Sequence, residues 1–194
     1  MEIIVAKKEQ NEVIASFIME AMNYECCKNL AGPNHSIHDF YLLMCKLVAV
    51  GNSQYSFLNT LVAIDDKEQI MGVCVSYDGA LLHELREAFI IGAKKQFGID
   101  YSDMKDETQP GELYIDSLCV GKEFRHKGIA SALLHATINK AKTMNINKVG
   151  LLVDCGNPDA ENLYTGIGFT FSNNSSWGGH EMRHLVYDIV NSKE

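Results

Sequence analysis

Leu118-Cys119-Val120-Gly121-Lys122-Glu123-Phe124-Arg125-His126-Lys127-Gly128-Ile129-Ala130 runs from an apolar strand end, through a basic turn, into Leu133, Leu134, Thr137, Ile138 and Ala141 at helical spacing. A strand that feeds a helix in this way leaves the first N–H groups of the helix without partners and aims the positive end of its dipole at one spot. That arrangement suits a phosphate. Gly128 lets backbone approach an anion closely, and Ala130 keeps the next helical turn low. The spacing is neither the G-x-x-x-x-G-K-(S/T) of a P-loop nor the G-x-G-x-x-G of a dinucleotide fold.

Outward from this turn the chain alternates. Downstream, the pattern predicts a strand over Glu112 to Val120, a helix over Lys127 to Met144, a strand over Lys148 to Val153 and a helix over Pro158 to Gly166. Two further strands, Phe169 to Ser172 and Met182 to Ile189, complete this half. Upstream, Ile3 to Ala6 reads as a strand, and Val13, Ile14, Phe17, Ile18, Ala21 and Met22 as a helix face. Ser36 caps a second helix closed by Gly51, Leu61 to Ile64 and Ile70 to Tyr77 form a hairpin, and a helix runs from Leu81 to about Phe97. The polar stretch from Asp100 to Pro110 is the longest loop. Strands and helices in this order require a central sheet flanked by helices. The expected fold is α/β (α+β), with a mixed, twisted sheet in one domain over residues 1–194. Residues 1–110 would form its N-terminal half and 111–190 its core.

Composition narrows the function classes. The 194 residues are 46% hydrophobic and 22% charged with only 3 Pro, as in a globular chain rather than a disordered one. A net charge of −8 argues against a nucleic-acid partner and against an anionic membrane surface. The richest apolar stretch, Phe40 to Val50, is interrupted by Lys46 and falls short of the roughly 20 residues of a membrane span. The start, MEIIVAKKEQ, does not read as a signal peptide, so a cytoplasmic protein is expected. The six cysteines contain no C-x-x-C pair, and we read them as reduced core residues.

Arg125-His126-Lys127-Gly128-Ile129-Ala130 resembles the (R/Q)-x-x-G-x-(G/A) signature of the GNAT N-acetyltransferases, which move an acetyl group from acetyl-CoA to a primary amine. Three neighbours strengthen the resemblance. Ser117 to Val120 looks like the family's fourth strand, where a bulge exposes backbone groups, and Lys148 to Val153 looks like the fifth, which splays from it. Asn157-Pro158-Asp159-Ala160-Glu161-Asn162-Leu163-Tyr164 resembles the N-x-x-A-x-x-(F/L)-Y element, followed by Gly166-Ile167-Gly168-Phe169. The similarity is close over about residues 111 to 190; residues 1 to 98 agree only in the order of their elements.

The resemblance implies acetyl-CoA as cosubstrate. Its pyrophosphate would lie on the N–H groups of His126, Lys127, Gly128, Ile129, Ala130 and Ser131, with Arg125 also among the cofactor-binding residues. The acetyl group and pantetheine arm would lie along Leu118, Cys119 and Val120, with Asn157 near the arm. It implies direct attack by a bound amine rather than an acetyl-cysteine on Cys119, with the oxyanion held by backbone N–H groups of Leu118 to Val120. Asn157 is a good N-cap and Pro158 stands at the first helical position. Tyr164 then falls two turns later on the face of Asn157 and Ala160, where the family places a tyrosine beside the departing thiolate. Full proton transfer from a phenol near pKa 10 to a thiolate near 8.5 is uphill by about 2 kcal/mol, so a strengthening hydrogen bond suffices.

A lysine-like amine is neutral at pH 7 in roughly one molecule in a few thousand, so a base must take its proton. Alternation puts Glu112, Tyr114 and Asp116 on one face, and Asp116, nearest the bulge, is preferred over Glu112 as the general base. Leu152 stands where acetyltransferases of ribosomal-protein N-termini carry a glutamate, which weighs against a protein N-terminus as acceptor. Residues 98 to 121 carry six acids and one base, whereas residues 122 to 148 carry six bases and one acid. This reversal favours a cationic small-molecule amine or lysine-like acceptor. The rival reading is a non-catalytic acyl-CoA-binding sensor on the same fold, and a homodimer is left open. His180 and His184, four apart on a strand, lie too far apart to share a metal, and no metal is expected. Trp177, beside Gly178-Gly179, is placed in the loop joining the last two strands, which in the resembled family can border the acceptor pocket; surface packing is the preferred reading.

Overall fold

The computed structural model describes residues 1–191. One seven-stranded sheet organises them: β1 (Glu2–Val5), β2 (Thr60–Ile64), β3 (Ile70–Asp78), β4 (Leu113–Val120), β5 (Lys148–Asp154), β6 (Thr170–Trp177) and β7 (His180–Asp188). Their order across the sheet is β1-β2-β3-β4-β5-β7-β6, and every neighbouring pair is antiparallel except β4 with β5. Six α-helices accompany it: α1 (Asn11–Met22), α2 (Tyr24–Ala31), α3 (Ile37–Val48), α4 (Leu82–Phe97), α5 (Ile129–Thr143) and α6 (Pro158–Ile167). None of the described helices is long and apolar enough to cross a membrane.

Both faces of the central strands are covered, so their residues are buried on both sides rather than alternating with water. On β2, Val62 and Ile64 face a core built from α1, α3 and α4, including Ile14, Ile18, Phe40, Met44 and Phe89. Leu61 and Ala63 face the other core, with Leu133, Leu134 and Ile138 of α5. Cys27, Cys74 and Cys119 are buried, Cys26 and Cys45 half-buried, and only Cys155 is exposed, which corrects its reading as a core residue.

The decisive irregularity lies in β4. Val75 of β3 pairs with Ser117, but its successor Ser76 pairs with Ile115, so Asp116 is the extra residue of a β-bulge. One unpaired residue reverses the facing of everything after it. Leu113 and Ile115 point into the α5 core, and so do Leu118 and Val120, although their numbers differ in parity. Cys119 turns to the opposite core. The bulge also ends the contact with β5, whose parallel pairing stops after Leu113 with Val149, Tyr114 with Gly150 and Ile115 with Leu151. Beyond that point β4 and β5 separate.

Just before β4, the buried Glu112 carboxylate crosses over Gly150 of β5. It accepts hydrogen bonds from Thr108 Oγ1 (2.8 Å) and lies 2.9 Å from Nε2 of His184 on β7. A Cβ at position 150 would overlap this carboxylate, so glycine is the residue that admits the link from β4 to β7. Gly150→Ala is expected to displace Glu112 from both partners and cost about 1–3 kcal/mol, the usual penalty for a buried polar group left unpaired. Urea unfolding of the two proteins side by side measures it.

Candidate active site

The gap between the diverging strands opens into a cavity of about 710 Å³. Its walls include Asp116 and Leu118 from β4, Leu152 and Asp154 from β5, Asn157 and Tyr164 from α6, and Glu20 and Cys26 from α1 and α2. Of the residues singled out in the sequence, the cavity therefore brings together Asp116, Leu118, Asn157 and Tyr164. Arg125 to Ser131 and the side chains of Cys119 and Val120 are not among its walls.

Those turn residues lie at the head of α5. His126 and Gly128 both take left-handed backbone, with φ of 60° and 78°. Left-handed residues within a turn can bring successive N–H groups to one side as an anion-binding hollow. Gly128 adopts this conformation without penalty and precedes the helix; Ala132 N–H is bonded to Gly128 O at 3.0 Å, leaving the N–H groups of Ile129 to Ser131 ahead of it without intrahelical acceptors. The helix proper starts at Ile129, two residues later than the apolar pattern predicts. Arg125 donates to Val120 O (3.1 Å) and pairs with Glu20 of α1 (2.8 Å), tying the turn to the cavity wall. Lys127 donates to Glu123 O at 3.0 Å.

Asn157 caps α6, its side-chain oxygen accepting from Ala160 N at 3.2 Å, and Pro158 opens the helix as its fixed φ allows. Tyr164 packs edge-on to Phe169, with ring centroids 6.0 Å apart. Burial holds its phenol well above the usual tyrosine range, so the hydroxyl keeps its proton. Among the described residues no protein group hydrogen-bonds that hydroxyl. Burial pushes the Cys119 thiol up to about 12, the state of an inert core thiol rather than a nucleophile.

Asp116 is partly buried and accepts two hydrogen bonds, from Ser117 Oγ (2.9 Å) and Gln54 Nε2 (3.1 Å). Loss of solvation, and then the nearby Glu107 carboxylate, raise its carboxyl to about 7, against the lowering effect of those hydrogen bonds and of Arg86. Glu112, the alternative base, is turned away from the cavity into its link with His184. Sequence reasoning missed Glu107 and Gln54 altogether. Both sit in irregular segments, where no periodicity or motif marks which side chain turns inward. Trp177 also departs from expectation: it ends β6 and lines the cavity, its indole Nε1 donating to Glu107 at 3.2 Å, rather than packing at the surface. His180, at the start of β7, pairs with Asp154 at 3.0 Å on the same rim.

A sheet whose fourth and fifth strands part beside a basic turn, over a cavity lined by a carboxylate and a tyrosine, fits an acyltransferase. The Acetyltransferase (GNAT) family matches residues 52–169, and the chain belongs to this family, a class of N-acetyltransferase enzymes. Its fold is similar to the crystal structure of an acetyltransferase with a TM-score of 0.79 and 26% identity, covering 97% of this chain and 100% of that one. It is also similar to an N-acetyltransferase from Staphylococcus aureus Mu50, with a TM-score of 0.81 and 20% identity over 96% and 100% of the chains. A more distant likeness is the spermidine N-acetyltransferase from Vibrio cholerae in complex with CoA and spermine, with a TM-score of 0.58 and 15% identity over 97% and 95%. No curated protein matches the sequence.

The raised Asp116 carboxyl carries a consequence for stability. Its folded value, about 7, exceeds the ordinary 3.8, so the folded protein binds the proton more tightly than the unfolded chain. The site thus lowers stability progressively as pH rises from about 4 to 7, and the loss is complete above that window. Asp116→Asn removes the titration. The variant's stability relative to the natural protein is expected to rise across this window and stay level on either side, as read from thermal or urea unfolding at a series of pH values.

Proposed function

We propose that this protein transfers the acetyl group of acetyl-CoA directly to a small primary amine, with Asp116 as general base and Tyr164 as hydrogen-bond donor to the departing thiolate. The observation that carries this reading is the placement of both groups on one cavity, the first able to take up a proton near neutrality and the second held protonated. The residues present fit the cosubstrate. Unpartnered N–H groups at the head of α5 suit its phosphates, and from Asp116 onward β4 has no strand on its β5 side to occupy its backbone. When bound, acetyl-CoA supplies the activated thioester.

The chain's own residues do the rest. Asp116 accepts the proton that the ammonium form of the acceptor must lose, and its affinity near pH 7 lets it do so while remaining ionised in a large fraction of molecules. The Tyr164 hydroxyl, without a protein partner among the described residues, is free to meet charge that develops on sulfur. Backbone N–H groups of Leu118 to Val120 supply donors to the acetyl oxygen, and Asn157 stands beside the channel that the pantetheine arm would follow. Among the described residues no cation pairs with Asp116, so a positively charged amine is the acceptor class that the site favours. The amine-acetylating Vibrio cholerae neighbour shares the fold and agrees with this class.

The test is a free-thiol release assay with acetyl-CoA against polyamines, aminoglycosides, amino acids and lysine peptides. Turnover is expected with at least one cationic amine, with kcat/KM climbing about tenfold per pH unit below 7 and levelling above it. Tight CoA binding without turnover on any amine would sink the proposal in favour of a sensor. Asp116→Asn is expected to lower kcat by 10²–10⁴-fold, the range of a removed general base. Tyr164→Phe should reduce kcat with little change in the Kd for CoA; full kcat over the whole pH range would remove Tyr164 from the mechanism.

A further inference from the structure

Glu107 is a buried carboxylate held by four side chains. It lies in the segment between α4 and β4 and is only 7% exposed. Four elements or segments converge on it. Arg86 of α4, itself 3% exposed, pairs with Oε2, and Trp177 of β6 donates to the same oxygen at 3.2 Å. Tyr77 of β3 and Gln54, from the segment after α3, each donate to Oε1 at 3.3 Å. With its oxygens so occupied, Glu107 has little capacity left to hold a substrate ammonium, although it lines the cavity.

Gln54 connects this hub to Asp116. Its side-chain NH2 gives one hydrogen to Glu107 and the other to Asp116 Oδ2 at 3.1 Å. The amide is thereby fixed in one orientation, and its oxygen, buried, has no hydrogen-bond partner among the described residues. A buried polar atom left unsatisfied is a cost that folded proteins rarely accept without a functional return. Here the return is a set distance between two carboxylates that would otherwise repel.

We propose that Glu107 and Gln54 are positioning residues for acetyl transfer: Glu107 is the fixed negative charge that readies Asp116 to accept a proton, and Gln54 holds the two carboxylates at one separation. This rests on Asp116 being the general base. The groups that face Asp116 are Glu107 from the loop before β4, Arg86 from α4, the phenols of Tyr55, Tyr77 and Tyr114, and the Cys74 thiol of β3. Burial keeps the phenols and the thiol uncharged, their proton affinities all being raised; burial also raises that of Glu107, but Arg86 and the hydrogen bonds from Gln54 and Tyr77 favour its ionised form, so Glu107 and Arg86 are the charges that matter. Glu107 pushes the Asp116 carboxyl up, while Arg86, shared with Glu107, and the Gln54 hydrogen bond pull it down. The two positioning residues thus act on Asp116 with opposite signs, and no merely structural role predicts that.

The experiment is a side-chain ¹³C NMR titration of aspartate-labelled protein, with the Asp116 resonance assigned by its absence in Asp116→Asn. The natural protein is expected to titrate at Asp116 near 7. Glu107→Gln should lower this midpoint by about one unit, a tenfold loss of proton affinity, and Gln54→Met should raise it. A midpoint unmoved in folded Glu107→Gln, or displaced the same way in both variants, overturns the inference. Should Glu107→Gln fail to fold with only Asp106 left to Arg86 as a carboxylate partner, Gln54→Met decides alone, and an unmoved midpoint there is equally fatal. The acid limb of kcat/KM, measured on the same variants, separates this inference from the reading beneath it. If NMR midpoints move in the predicted directions and the kinetic limb stays put, the link to Asp116 stands and Asp116 is not the base.

Discussion

Everything at the site depends on a single unpaired residue in the middle of the sheet. Adjacent parallel strands stay in contact while their hydrogen-bond ladders remain in phase, and the bulge at Asp116 breaks that phase for β4 on both sides. Against β3 the ladder resumes after the slip, because seven residues of β3 still find partners along β4. Against β5 it does not resume. The result is a cavity whose floor is backbone without a strand partner on its β5 side and whose first side chain is the bulged residue itself. A bulge re-aims one side chain and terminates pairing; both effects are used here, one for the carboxylate and the other for the space in front of it.

The same placement explains why Asp116 has an unusual proton affinity. A carboxylate on a regular central strand would be buried without escape or turned into a helix layer. At the bulge it reaches the cavity while keeping protein around it, with hydrogen bonds from Ser117 and Gln54 too few to offset its lost solvation and the nearby Glu107 charge. The position therefore lowers stability at neutral pH, and the surrounding core, with Leu113, Ile115, Leu133 and Leu151 all nearly fully buried, is large enough to carry that cost.

How much of this was readable depends on whether a signal was local. The strand, turn and helix around Gly128 announce themselves because each step has its own chemistry: an apolar run, a residue tolerant of left-handed backbone and a helical repeat. β6 was read as ending at Ser172, whereas it continues to Trp177. Asn173, Asn174, Ser175 and Ser176 favour turns by their own preference, and only pairing with β7 makes them a strand. Nothing in the sequence marks α2, because its eight residues bury only Cys27 and Ala31, too little for a periodic pattern, and its cap is Asn23, whose φ of 62° kinks the chain after α1. Asp116 was legible as a carboxylate near a bulge. Glu107 was not, since its importance comes from four partners distant in sequence.

Charge illustrates the same limit. Along the sequence, the acids from residue 98 to 121 look like one negative field opposite a positive one. In the fold most of them are spoken for: Asp100 by Lys94, Asp106 by Arg86 and His83, Glu107 by Arg86, and Glu112 lies against His184. Of these acids, the one that faces the cavity without an ion-pair partner among the described residues is Asp116. Summed charge acts at long range and is screened within about 10 Å at 0.1 M salt, whereas a single desolvated carboxylate acts at contact and is screened far less. In the proposed reaction, recognition of a cationic acceptor would therefore rest on one residue at the reacting position rather than on an acidic surface, and the group that attracts the amine would also be the group that takes its proton.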